Sequence, residues 1–329
     1  MKEAPQGRSD AGLRTKIGRC TLTLKQWKLP HPAHSLSLAT GVPAGHPMGP
    51  FSREREKGKP AGAPARATED FMALTQSRMQ IGDVDLEIHR GGEGPPLYFV
   101  HGGGFNPGAA FLDLLARKFS VTVALHPGFG TSSLPFWMDS VDDFTHIHLS
   151  VLDKLDLKNV TLVGASLGGW VAADLATKNT SRIVRLVLVS PVGIKVGTRD
   201  KLDIPDVFYM PQNELDALMY AHPEKFKFIA EGKSDDELRI VARNKETMAL
   251  VAWEPYMHNP KLKHRLHRID RPTLLLHGAH DRLVSADYCA QYARLIPGCV
   301  LEEMADAGHS PQIETPEAFV ARVARFAHI

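Results

Sequence analysis

Ser166 stands in Gly164-Ala165-Ser166-Leu167-Gly168, with Asn159-Val-Thr-Leu-Val before it and Trp170-Val-Ala-Ala-Asp-Leu-Ala176 after it. The apolar, β-branched run reads as a buried strand and the proline-free run as a helix. A serine on a sharp turn between the two is lifted clear of the sheet. Its hydroxyl then lies over a helix N-terminus, where backbone N–H groups stabilise an anion. Small residues two positions before and after the serine let strand and helix pass closely, and Gly164 and Gly168 meet that need. This is the setting of a nucleophile.

A serine hydroxyl at neutral pH needs a base, an acid to orient the base, and donors for the developing oxyanion. Pro272-Thr-Leu-Leu-Leu-His-Gly-Ala-His-Asp281 places Asp281 just past a strand, at the edge where open parallel sheets bind ligands. Ala305-Asp-Ala-Gly-His-Ser310 places His309 in a loop between the last strand and a helix that follows Pro311. His101-Gly102-Gly103-Gly104 follows a strand directly, and its glycines allow N–H groups to turn toward a charge. The oxyanion donors are therefore sought at Gly103, then Gly104, paired with the N–H of Leu167. His101, His126, His277 and His280 are weaker candidates for the base, each being explained by a neighbouring turn. Neither a His-Glu-x-x-His pattern nor paired cysteines supports a metal, and no metal or cofactor is expected.

The elements that must hold these groups alternate. A hairpin is expected over Met79–His89 with its turn at Gly82-Asp83, then strands at Pro96–His101 and Ser120–Leu125. A helix is expected over Ala109–Phe119 and another over Ser140–Leu155, with Ser140 as N-cap and Asp142-Asp143 in the first turn. Further strands follow at Ile183–Val189, Pro272–His277 and Val300–Met304, with helices around Ala286–Leu295 and Pro316–Ala327. Such alternation implies a mostly parallel sheet with helices on both faces. It stops between Pro191 and Asp270, a helical stretch rich in aromatics and Met that fits a lid over the sheet's active edge.

Residues 1–70 carry eight Pro and eight Gly and a charge of +6, against −4 for the rest of the chain. They read as disordered, or as a non-native extension ahead of a translation start at Met72; an N-terminal peptide from the native source tests this. The body has no basic stripe for nucleic acid, no apolar run of membrane length, and no secretory h-region. Three cysteines form no disulfide framework, which suits a reducing, cytoplasmic compartment. The sequence leaves room for a homodimer without fixing the oligomeric state.

Taken together, His101–Gly104, His126-Pro-Gly-Phe-Gly-Thr-Ser132, Gly164–Gly169, His277-Gly-Ala-His-Asp281 and Gly308-His309 resemble the α/β-hydrolase fold superfamily over roughly residues 77–328. The resemblance implies an eight-stranded, mostly parallel sheet flanked by helices. The core would comprise 71–191 and 270–329, with a helical cap at 192–269 after the sixth strand. It implies Ser166 as nucleophile, Asp281 as acid and His309 as base. Epoxide hydrolases and dehalogenases of this superfamily carry Asp at the elbow, so Ser166 argues against both. The His-Gly-Gly-Gly and Pro-Gly-Phe-Gly stretches are similar to meta-cleavage-product C–C hydrolases, which carry a substrate-carboxylate arginine in the cap. Arg243, with Trp253 beyond it, is the matching candidate for substrate binding. The elbow Ala165-Ser166-Leu167 and Ser310 depart from that subgroup, which has Asn-Ser-Met and an aromatic there. A small carboxylic ester is the expected substrate, a dienoate diketone acid the alternative. A binding protein that has lost the chemistry is a third reading, disfavoured because every catalytic part is present.

Overall fold

In the computed structural model, residues 74–329 are described; the expectations for 1–70 lie outside them. Eight strands form one sheet: β1 Thr75–Ile81, β2 Val84–Gly91, β3 Pro96–Val100, β4 Ser120–Ala124, β5 Val160–Ala165, β6 Ile183–Val189, β7 Thr273–Gly278 and β8 Val300–Met304. Their order is β1-β2-β4-β3-β5-β6-β7-β8. The β1–β2 and β2–β4 pairs are antiparallel and the others parallel. The expected hairpin turns at Gly82-Asp83, where Gly82 takes a φ of 57°.

The helices are α1 Ala110–Ala116, α2 Val141–Lys154, α3 Leu167–Lys178, α4 Gln212–Met219, α5 Pro223–Phe226, α6 Asp235–Ala252, α7 Ala286–Arg294, α8 Pro311–Glu314 and α9 Pro316–Ala327. Two apolar layers arise from the alternation of side chains along each strand. Leu97, Phe99, Val121, Val123, Leu274 and Leu276 pack with α1 and α9 on one face. Tyr98, Val100, Leu162, Leu186 and Leu188 pack with α2, α3 and α7 on the other. Central strand β5 is buried at every position and mostly apolar, whereas edge strand β1 is largely exposed.

Helix α2 starts where its cap was expected. The Ser140 hydroxyl accepts from the Asp143 N–H while the Asp143 carboxylate accepts from the Ser140 N–H, a reciprocal capping box. Helix α1 ends earlier than its apolar spacing suggests, at Ala116 rather than Phe119. The Lys118 and Phe119 N–H groups both turn back to the Leu115 carbonyl, and this tight turn lets Phe119 stay buried while the chain enters β4.

Between β6 and β7 lie α4, α5, α6 and two short 3₁₀ turns, with no strand among the named elements. This segment and the sheet belong to one compact unit. Its aromatics pack on one another: Phe208 lies 5.4 Å from Trp253 and 5.9 Å from Tyr256, centroid to centroid. Among the described residues, no helix is long and apolar enough to cross a membrane.

Candidate active site

The turn from β5 to α3 holds Ser166 at φ 54° and ψ −115°, a conformation that L residues rarely adopt. The surroundings enforce it. The Ser166 N–H donates to the Val189 carbonyl at 2.9 Å, and its carbonyl accepts from Trp170 at 3.1 Å and Val192 at 3.3 Å. A Cβ on Gly164 would stand 2.3 Å from the Gly168 carbonyl oxygen and 2.7 Å from the Ala172 Cβ. One on Gly168 would strike the carbonyls of Val100 and His101 at 2.1 and 2.4 Å. The small neighbours of the serine are thus required by the backbone of β5, α3 and β3. Ser166 itself is half-buried.

His309, in the loop after β8, donates or accepts at both ring nitrogens. Its Nε2 lies 2.9 Å from the Ser166 Oγ, and its Nδ1 lies 2.9 Å from the Asp281 Oδ2. The other carboxylate oxygen, Oδ1, accepts from the Leu283 and Val284 N–H groups at 2.9 and 2.8 Å. Burial pushes the Asp281 carboxyl up, but the His309 ring beside it and the N–H groups it accepts hold it below the usual carboxylate range. Asp281 therefore stays ionised in a nearly dry setting, aimed at the imidazole.

Leu167 is the first residue of α3, so its N–H has no carbonyl one turn back within the helix. The His101–Gly104 stretch runs beside it. A Cβ on Gly102 would stand 3.3 Å from the Ser166 Cβ, so this loop flanks the serine at close range. Gly103 faces the segment between β6 and β7: its Cβ position is 2.6 Å from the Met248 Sδ on α6. Gly104 has open space around it.

Both residues expected to contact substrate are engaged within the protein. The Arg243 guanidinium donates to the Gly130 carbonyl at 3.1 Å and to the Ser132 carbonyl at 2.6 Å. With Asn244, which accepts from the Gly130 N–H, and Thr247, which donates to the Gly128 carbonyl, it fastens α6 to the loop after β4. Its fork is aligned on two peptide carbonyls. Trp253 lies at the end of α6, 52% exposed, against Phe208 and Tyr256. It belongs to the aromatic packing of its own segment.

Other residues hold the site without having a local signal. Glu314 on α8 accepts from the Gly308 N–H at 2.9 Å and from the Ala221 N–H at 2.8 Å. The His309 N–H donates to the Met219 carbonyl, and the Arg282 N–H donates to that of Leu218. The end of α4 is thereby tied to the loops carrying His309 and Asp281. A pattern of spacing does not reveal such partners, which lie far apart in the chain. Of the histidines set aside earlier, His280 is exposed, His277 meets the Val284 carbonyl, and His101 and His126 are fully buried. Among the described residues, no group of three or more His, Cys, Asp or Glu side chains is arranged to hold a metal ion.

The comparisons with known proteins agree with this architecture. The chain is 26% identical over 253 residues to the pimeloyl-[acyl-carrier protein] methyl ester esterase of Nitrosomonas europaea, covering 72% of this chain and 98% of that protein. It is 27% identical over 264 residues to the 2-hydroxy-6-oxo-2,4-heptadienoate hydrolase of Pseudomonas putida, covering 74% and 93%. The solved structure of a 2-hydroxy-6-oxo-6-phenylhexa-2,4-dienoate hydrolase from Rhodococcus sp. superposes with a TM-score of 0.63 at 19% identity, over 78% of this chain and all of the other, a likeness of fold. The model of the α/β hydrolase family matches residues 97–322, from the middle of the sheet to the last helix and across every residue of the site above. This chain is therefore a member of the α/β hydrolase family, and a hydrolase.

Proposed function

We propose that the protein is a serine esterase that cleaves a small carboxylic ester through an acyl-enzyme on Ser166. One observation carries the reading: a single imidazole stands 2.9 Å from both a strained serine hydroxyl and a buried, ionised carboxylate. In this reading the Ser166 Oγ attacks the ester carbonyl as His309 Nε2 takes its proton. Asp281 accepts from Nδ1–H, which fixes the tautomer and stabilises the imidazolium as it forms. The oxyanion is held by the N–H groups of Leu167 and Gly103, with Gly104 as the alternative to Gly103. The imidazolium then gives its proton to the leaving alcohol. Water deprotonated by His309 attacks the acyl-enzyme and releases the acid.

Residues 192–269 act as a cap in this reading, since Met248 reaches Gly103 and the end of α4 binds the His309 loop. The substrate is a small molecule, and no cofactor takes part. A cytoplasmic setting accords with free Cys289 and Cys299. Cleavage of a carbon–carbon bond in a dienoate diketone acid is the second reading, favoured by the likeness to the Pseudomonas putida enzyme. The engagement of Arg243 weighs against it, because the guanidinium expected to clamp a substrate carboxylate already donates to the Gly130 and Ser132 carbonyls.

The test is the initial rate of p-nitrophenyl acetate, butyrate and octanoate hydrolysis by the full-length protein and its Ser166→Ala variant. Turnover should fall by about 10⁴-fold or more in the variant. A variant as active as the parent would overturn the assignment of Ser166. No ester turnover by the parent, with turnover of a dienoate diketone acid, would favour the second reading.

A further inference from the structure

Behind the glycine-rich loop lies a chain of buried polar rings that the reaction does not use. Tyr98 on β3, His101 after β3, His126 after β4 and His148 on α2 are each at most 1% exposed. The Tyr98 Oη lies 2.6 Å from the His148 Nδ1, and the His148 Nε2 lies 2.7 Å from the His126 Nδ1. The His126 Nε2 lies 2.8 Å from the His101 carbonyl oxygen. The His101 Nε2 accepts from the His126 N–H at 3.0 Å, and its Nδ1 lies 2.8 Å from the Gly102 carbonyl oxygen.

We propose that these four side chains are positioning residues for the oxyanion loop: the His101 ring sets the direction of the oxyanion-binding N–H of Gly103, and Tyr98, His148 and His126 fix the His101–Gly102 peptide immediately before it. The proposal rests on the esterase reading for its chemistry, while its geometry stands apart from it. The direction of every bond follows from the two carbonyls at its end. A carbonyl only accepts, so His126 Nε2 carries a proton. With the ring neutral, its Nδ1 is an acceptor and His148 Nε2 must donate to it. His148 Nδ1 is then an acceptor in turn, and the Tyr98 hydroxyl must donate. His101 accepts at Nε2 and donates at Nδ1 to Gly102. One arrangement satisfies all six ring nitrogens with three neutral rings. Burial and the neighbouring rings push His101 and His126 well below the ordinary imidazole value, in keeping with that arrangement.

The Tyr98–His148–His126 chain ends on the His101 carbonyl, and the His101 ring, itself held by the His126 N–H, takes the next carbonyl, that of Gly102. In a trans peptide the N–H of one residue points opposite the carbonyl of the residue before it. Holding the His101 carbonyl therefore aims the Gly102 N–H, and holding the Gly102 carbonyl aims the Gly103 N–H. The His101 carbonyl is also wedged against α3, 2.4 Å from where a Gly168 Cβ would be. A His126 ring stacked 5.0 Å from Phe144 and edge-on to Phe129 has no room to turn over. The loop's glycines would otherwise leave these peptides free to rotate.

The test has two arms on the full-length protein. The first reads ring ¹⁵N shifts of the labelled protein between about pH 8 and about pH 5.5. His101 should appear as the Nδ1–H tautomer, His126 and His148 as Nε2–H, with no titration across the range. The reverse tautomer or a titration at His126 or His148 would overturn the chain. The second arm compares Tyr98→Phe, His148→Leu and His148→Gln on p-nitrophenyl butyrate. Phe removes one oxygen and Leu removes both contacts, whereas Gln can still donate and accept. Tyr98→Phe and His148→Leu should lose about tenfold or more in kcat with KM changed less than about threefold, and His148→Gln should stay within about threefold of the parent. If Leu fails to fold, Phe carries the arm. Values of kcat within about twofold of the parent for Phe and Leu, or a Gln variant as poor as Leu, would sink the proposal. A parent without Ser166-dependent turnover would sink the esterase reading instead, and the tautomers would then decide the chain.

Discussion

His309 and His126 both lie in loops that leave the same end of the sheet, and both are almost wholly buried. Their partners differ. His309 has a carboxylate behind it and a half-buried hydroxyl in front. His126, with His101 and His148, meets neutral groups at each ring nitrogen. An imidazole backed by a carboxylate can gain a proton during a reaction, because the charge that forms is met at once. An imidazole among other imidazoles and peptides stays neutral, because burial without a counter-charge disfavours the cation. On the proposed mechanism one residue type serves proton transfer in one place and fixed direction in the other, and the neighbour decides which.

Removing the carboxylate breaks this contrast most sharply. Asp281→Asn leaves a hydrogen-bonding group of the same shape but lets its amide donate to Nδ1, which favours the tautomer that faces Ser166 with a proton. On the proposed mechanism kcat should fall by about 10³- to 10⁴-fold. The same variant should leave the ring tautomers of His101, His126 and His148 unchanged. A loss below about tenfold would mean that the carboxylate behind His309 does not matter to the reaction.

Acid tests the other side of the comparison. Histidines in an unfolded chain titrate near 6.5, whereas burial holds the His148 ring down at about 3 and the His101 and His126 rings well below the ordinary value. Between those values the unfolded chain binds more protons than the folded one. Stability then rises with pH and is lost as the pH falls below about 6.5. At about pH 5.5 the loss should approach about 1.4 kcal/mol for each ring, about 4 kcal/mol for three. Glu87 adds to it only at lower pH: burial pushes its carboxyl up, but bonds from His89 and Thr131 bring it to about 2. Urea midpoints at several pH values measure the slope, and His148→Gln should remove about a third of it. A midpoint that did not move between neutral pH and about pH 5.5 would show that these rings are not held neutral.

The division between what could and could not be read from the sequence has the same physical basis. Ser166, Asp281 and His309 each lie in the short loop just past a strand, after β5, β7 and β8 respectively, and the glycines around them answer to local backbone geometry. Short-range pattern therefore exposes them, as it does the Gly82-Asp83 turn and the Ser140 cap. His126 was set aside because a turn explained it, and the turn is real. Its second task depends on His148, 22 residues on, and on Tyr98, 28 residues back. The contacts of Arg243 are hidden from the sequence for the same reason. Its position suggested a ligand, but its guanidinium meets carbonyls 111 and 113 residues away, and only the folded chain brings them there.

Glu314 separates the placing of His309 from its charging. It contacts neither the ring nor Ser166 in the bonds above; it holds the backbone on either side of the contact between the two segments, at Gly308 and Ala221. Burial pushes its carboxyl up, and the N–H groups it accepts oppose that rise. A carboxylate offers an acceptor to each N–H, whereas an amide offers one oxygen and sets its NH₂ against the other donor. Glu314→Gln should therefore cost about 1–2 kcal/mol of stability by urea unfolding. The loop shift should lower kcat/KM by only about three- to tenfold, since Asp281 still backs the ring and Met219 still accepts from the His309 N–H. If the loss instead matched that of Asp281→Asn while the fold remained intact, placing the imidazole would matter as much as meeting its charge. The contrast between the two histidine settings would then be one of anchoring, with glutamate and peptide carbonyls doing for His309 what the neutral rings are proposed to do for the glycine-rich loop.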